Sequence, residues 1–178
     1  GCIHRGISEK TANKIYDDMI DFAKYAFNKS HAAAYAVVSY QTAFLKYYYP
    51  VEYMAALMTS VIHNPSKVAE YILSSRKMQI EILPPDINFG ESEFSADHGA
   101  IRYGLSAIKS LGAPMIRAIV EERKENGKYQ SLRDFIERMS GRELNKRAIE
   151  NLIKAGALDQ VAGNRRQKLM VYAEIVDA

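Results

Sequence analysis

The spacing of the apolar residues changes twice along this chain of 178 residues, and that change restricts the fold more than any single motif does. Up to Met78 they recur every three or four positions, which places them on one face of a helix. From Ile80 to Leu83 they alternate around Glu81, and from Gly104 the helical spacing returns. The expectation is a mainly α protein in which a helical segment (1–78) leads through an extended linker with a small β-hairpin (79–103) into a second helical part (104–178).

Capping and breaking residues set the expected boundaries. Ser8 is placed to cap a first helix whose apolar face carries Ile15, Met19, Phe22 and Ala23 as far as about Phe27. A second helix is expected over 32–49, with Tyr35, Val38, Phe44 and Leu45 as packing positions. Pro50 then opens a third over 51–62. Asn64 followed by Pro65 opens a fourth with Val68, Ile72 and Leu73 inward. Phe94 and Ile101-Arg102-Tyr103 flank Asp97-His98-Gly99, where glycine suits a turn with positive φ. Later helices are expected over 107–109, 114–125, 132–139, 145–155 and 164–176, with stops at Gly127 and Gly156.

Composition excludes several classes. With 48% apolar and 25% charged residues the chain is expected to fold. The uncharged run Ala32–Leu45 is shorter than the roughly 18 residues of a membrane-spanning helix, so a soluble, cytoplasmic protein without a membrane partner is expected. The single cysteine, Cys2, cannot form an intramolecular disulfide. Because the chain begins at Gly1 and not at Met, a piece of a longer protein is expected. The net charge of +3 divides unevenly: residues 1–95 hold 9 Lys and Arg against 10 Asp and Glu, residues 96–178 hold 15 against 11.

Two stretches carry possible chemistry. Asn28-Lys29-Ser30-His31 lies between two helices, where a cap, free backbone N–H groups and a cation together suit a phosphate; an ordinary interhelical turn has the same outline. The second stretch, Ile108 to Ile119, reads as a short helix, a tight turn at Leu111-Gly112 and a further helix. Lys109 and Arg117 flank a turn able to hold a DNA phosphate without reading a base. A similar unit runs from Leu144 to Leu158 and turns at Gly156, with Lys146, Arg147, Lys154, Arg165 and Arg166 nearby. A plain helical hairpin fits the same spacing. No acidic pair in a strand context suggests a two-metal site, the four histidines lack ligand spacing, and no Gly-Lys-Ser/Thr phosphate loop is present, so neither catalytic nor metal-ligating residues are assigned.

Phe27 to Ala36, continued by Ser39-Tyr40-Gln41-Thr42-Ala43 and by Leu45-Lys46 to Ala56, closely resembles the fingers domain of the C-family replicative DNA polymerases, the bacterial polymerase III alpha subunits. Ile101 to Lys109, Ser131 to Phe135 and Leu144 to Asp159 resemble the tandem helix-hairpin-helix region that follows those fingers. The resemblance implies a fragment of an enzyme that extends a primer, with magnesium held by palm carboxylates that are not among these residues. The fragment would then be inactive by itself and hold no cofactor. Asn28, Lys29, Ser30 and His31 would face the incoming deoxynucleoside triphosphate or the primer-template, and Leu111, Gly112 and Gly156 with the basic residues around them would hold duplex phosphates. Other replisome subunits are implied as partners of the intact enzyme. Ser110 stands where such turns usually carry glycine, which sets a phosphate role for the first hairpin against a purely structural one. Two other readings fit the residues: a stand-alone helix-hairpin-helix DNA-binding module, and a helical protein-interaction domain that docks through Tyr47, Tyr48, Tyr49 and Tyr53.

Overall fold

Asparagine and proline open helices where the sequence places them. In the computed structural model, which describes residues 1–24, 29–142 and 144–177, Asn64 Oδ1 accepts from the Lys67 amide at 3.2 Å and Pro65 begins the helix. The chain forms two compact units, Gly1–Phe44 and Leu45–Ala178.

The first unit holds α1 (Glu9–Lys24) and the start of α2 (Lys29–Tyr48). Ser8 caps α1 by accepting from the Thr11 amide at 3.3 Å. None of the described residues of this unit is buried. Ile15, Met19 and Phe22 form the expected stripe, but it is exposed, and so are Tyr35, Val38, Phe44 and Leu45 of α2, which the sequence reading placed as packing positions. The spacing produces the stripe; burying it needs a second surface.

The second unit continues with α3 (Pro50–Ser60), α4 (Pro65–Lys77), β1 (Ile82–Leu83), β2 (Ser95–Asp97), β3 (Ala100–Arg102), α5 (Ala113–Asn126), α6 (Leu132–Arg138), α7 (Lys146–Ala155) and α8 (Arg165–Asp177). The strands form one small sheet in the order β1-β3-β2, with β1 parallel to β3 and β2 antiparallel to it. His98 and Gly99, at φ +50° and +85°, make the two-residue turn between β2 and β3 that a twisted hairpin prefers. A first core packs Met54, Met58, Val68, Phe94 and Ile101. Leu73, expected inward, is exposed because it lies about 100° round the helix from Ile72. A second core collects Leu105, Ile116, Ile119, Phe135, Ile149, Leu152 and Leu158. The turn at 86–90 is held to this helical part by hydrogen bonds, among them a reciprocal pair between the Asn88 side chain and the Tyr129 backbone at 2.9 and 2.8 Å. The Ile87 amide donates to Ala157 O at 2.9 Å, and the Arg123 guanidinium donates to Ile87 O at 2.9 Å and Gly90 O at 2.6 Å. The segments 51–77, 79–103 and 104–177 therefore lie in one unit.

Candidate nucleic-acid interface

A short 3-10 turn, Leu105–Ala107, replaces the helix expected over 107–109, and Ile108 is extended. The chain then reverses through Lys109, Ser110, Leu111 and Gly112 into α5. Ser110 takes φ +66°, the left-handed conformation that glycine adopts most easily, so the turn forms although the glycine is missing. Gly112 caps α5 without a side chain, and Pro114 occupies the first turn, where its missing N–H costs nothing. The first bond into the helix runs from the Ile116 amide to Gly112 O at 3.1 Å, so the amides of Gly112, Ala113 and Met115 lie outside the helical ladder. Lys109 and Arg117, before and one turn inside this helix start, are exposed, as are Gly112 and the Ser110 hydroxyl-bearing residue. Asn151 Nδ2 donates to Lys109 O at 3.0 Å and so fixes the turn from α7. Around this contact lies a cavity of about 400 Å³ lined by Tyr103, Ile108, Lys109, Asn151 and Ala155. On α7, Arg147, Asn151 and Lys154 recur at the spacing of one helix face.

The second hairpin is built differently. Asn145 caps α7 by accepting from the Ala148 amide at 2.9 Å, and Ala148, Ile149, Leu152 and Ile153 are buried beneath it. Gly156 ends the helix at φ +87°, its amide bonding to Ile153 O at 3.1 Å while that of Ala157 bonds to Leu152 O at 2.9 Å. The Arg165 guanidinium lies over this glycine: a Cβ at position 156 would stand 2.3 Å from its Nη2. Arg165 Nε donates to Asp159 Oδ1 at 2.8 Å, and Nη1 reaches Lys154 O at 3.3 Å. The bond from Arg165 holds the Asp159 carboxyl below its ordinary range and raises the guanidinium in turn. The turn at Gly156, expected to face a duplex, thus carries the chain's own Arg165 beside it.

Residues 79–168 match the family described as the helix-hairpin-helix motif, and they contain both hairpins. The chain belongs to the helix-hairpin-helix family. It is also similar to DNA polymerase III subunit alpha of Thermus aquaticus, 48% identical over 166 residues, which cover 93% of this chain and 14% of that protein. The same protein of Deinococcus radiodurans is 47% identical over 94% of the chain and 12% of its own length, and that of Xylella fastidiosa 45% over 100% and 15%. The chain thus spans about one seventh of these relatives.

Across the two hairpins the expected basic residues separate into two sets. Lys146 pairs with Asp177, Lys154 with Glu150 and Arg165 with Asp159. Lys109, Arg117, Arg147 and Arg166 are exposed and have no acidic partner among the described residues. In the other expected site, Lys29, Ser30 and His31 are exposed in the first turn of α2, which begins three residues earlier than expected; Ser30 therefore lies inside the helix and is not its cap. Asn28 lies outside the described residues. The His31 and Tyr35 rings stand 4.3 Å apart, one helical turn along the same face. Among the described residues no group of three or more His, Cys, Asp or Glu is arranged to hold a metal ion. No described helix is long and apolar enough to cross a membrane.

Sequence reading missed Asn151, Arg123 and Lys168. Each acts on backbone carbonyls, those of Asn151 and Arg123 some 33 to 42 positions away along the chain. No local pattern announces such a partner.

Proposed function

We propose that this chain is the portion of a replicative DNA polymerase alpha subunit in which a fingers segment meets the helix-hairpin-helix module, and that it grips the template-primer duplex through backbone phosphates without performing the chemistry. The observation that carries the reading is the start of α5, where amides outside the helical ladder stand beside Lys109 and Arg117, two cations not neutralised by an acid among the described residues. Free amides, the helix dipole and adjacent positive charge all favour a phosphate, and none of them reads a base. The similarity to polymerase III alpha subunits over nearly the whole chain supports the enzyme assignment, and the family match supports the DNA partner. In the intact enzyme, magnesium would be held by carboxylates elsewhere, and the other replisome subunits would be its partners. Lys29, Ser30 and His31 would face the incoming deoxynucleoside triphosphate or the nearby primer-template backbone.

Fluorescence anisotropy with labelled duplexes tests the grip: binding should be weak, indifferent to sequence and steeply weakened by salt. A signal unchanged from low to high salt rejects it. For the N-terminal cluster, Lys29→Ala with His31→Ala in the full polymerase should damage nucleotide incorporation more than folding; equal damage to both would leave the cluster a structural one.

A second reading, docking on a protein partner, is favoured by the exposed tyrosines Tyr47, Tyr48 and Tyr49, of which Tyr47 is 78% exposed. Duplex binding untouched by changing Lys109 and Arg117 together would favour it over the first.

A further inference from the structure

The turn between α7 and α8 is lined with oxygen. The carbonyls of Leu158 and Val161 accept from Lys168 Nζ at 2.7 and 2.9 Å, and the carbonyl of Gly163 accepts from the same nitrogen. Lys168 is 2% exposed, although lysine is a residue type that proteins almost never bury completely. An ammonium has three N–H donors, and here each meets one main-chain oxygen, so its hydrogen bonding is complete without water or a carboxylate. Carbonyl oxygens converging on one point are also how proteins replace the hydration shell of a monovalent cation. With nothing positive at the centre, the three dipoles would repel one another and lose their donors in a buried place. A water molecule would not complete the site, because it has two donors and the site requires three.

We propose that residues 158–163 form a monovalent-cation cage and that the ammonium of Lys168, tethered by its own side chain, is the resident cation. The hairpin then keeps its shape without a dissociable metal ion. Burial pulls the Lys168 ammonium below its ordinary value; of the neighbouring charges Asp159 favours the charged form and Arg165, which holds Asp159, opposes it. That cost of burial is what the three carbonyls offset. The sequence alone shows Lys168 only as one more basic residue in the basic half.

The test separates the cage from its occupant. Lys168→Ala removes the ammonium and opens the space its side chain filled, whereas Lys168→Met fills that space with an uncharged chain. Thermal unfolding of the 178-residue protein is followed by circular dichroism in choline, sodium, potassium and ammonium chloride at one ionic strength. The wild type should unfold at the same temperature in all four. Lys168→Ala should lose about 5–10 °C in choline chloride, for carbonyls left without donors, and regain part of it in potassium or ammonium chloride with a saturating dependence on concentration. Lys168→Met should stay low in every salt. If Lys168→Ala is unfolded in choline, recovery of helix on replacing choline by potassium is the reading, and no recovery overturns the proposal. Equal midpoints for Lys168→Ala in all four salts overturn it as well, and so does a wild-type midpoint that follows the cation. The readout is unfolding and not DNA binding, so this proposal and the duplex grip fail independently.

Discussion

Ser110 holds a backbone conformation, φ +66°, in which an L side chain crowds its own carbonyl. Glycine carries no such crowding, so Ser110→Gly should leave the protein as stable or up to about 1 kcal/mol more stable, and Ser110→Val should weaken it; denaturant midpoints decide. A fall in stability for the glycine variant would mean that the serine side chain contributes more than its backbone costs. Tyr129 shows the opposite case, a side chain fully used. Its hydroxyl donates to Ile119 O at 2.9 Å inside the second core, and burial pushes the phenol from its ordinary 10.0 to about 12. Tyr129→Phe should cost about 1–2 kcal/mol at neutral pH by leaving that carbonyl without its donor. The folded value lies above the unfolded one, so this contribution is whole below pH 10 and is lost as pH rises toward 12, where the unfolded chain ionises first. The gap between wild-type and Tyr129→Phe unfolding curves should narrow through that window, and a constant gap would show that the phenol does not titrate with folding.

Helices assemble here through charges as well as apolar faces. Glu122 of α5 is buried, accepts from Asn126 at 2.8 Å and from Arg138 of α6 at 3.1 Å, and forms an ion pair with Arg142 at 2.9 Å; these partners, Asn126 foremost, hold its carboxyl below the ordinary 4.5. A lowered carboxyl stabilises the fold above its unfolded value and stops doing so as pH falls through the folded one. Urea unfolding of Glu122→Gln should therefore start lower than wild type at neutral pH and converge with it in acid; curves that stay parallel would deny the ion network its role. Asp86 acts the other way, because burial raises its carboxyl and its contribution declines as pH rises. Most element boundaries were legible beforehand, since Ser8, Asn64 and Asn145 are local signals and each accepts the amide three residues on. The start of α2 at Lys29 was not legible, because polar residues around a helix start fit the cap and the first turn alike.

At the scale of the whole molecule, cations that meet an acid among the described residues and cations that do not should respond differently to a duplex. Lys109→Gln and Arg117→Gln should each reduce the slope of log affinity against log salt by about 1, as the loss of one phosphate contact does. Lys146→Gln and Lys154→Gln, whose charges are already met by Asp177 and Glu150, should leave that slope alone. Equal effects from all four would mean that the ion pairs open on binding. The amino-acid sequence by itself determined the helical class, the strand interlude, most helix ends and the two turns at Gly112 and Gly156, because caps, breakers and apolar spacing act within a few residues. Only the tertiary structure decided which apolar stripes are covered, that Arg165 closes over Gly156, that Asn151 holds the turn of Lys109, and that Lys168 is buried among three carbonyls. Those facts depend on where other segments lie, and a cation's partner is chosen by distance in space, which spacing along a chain does not record.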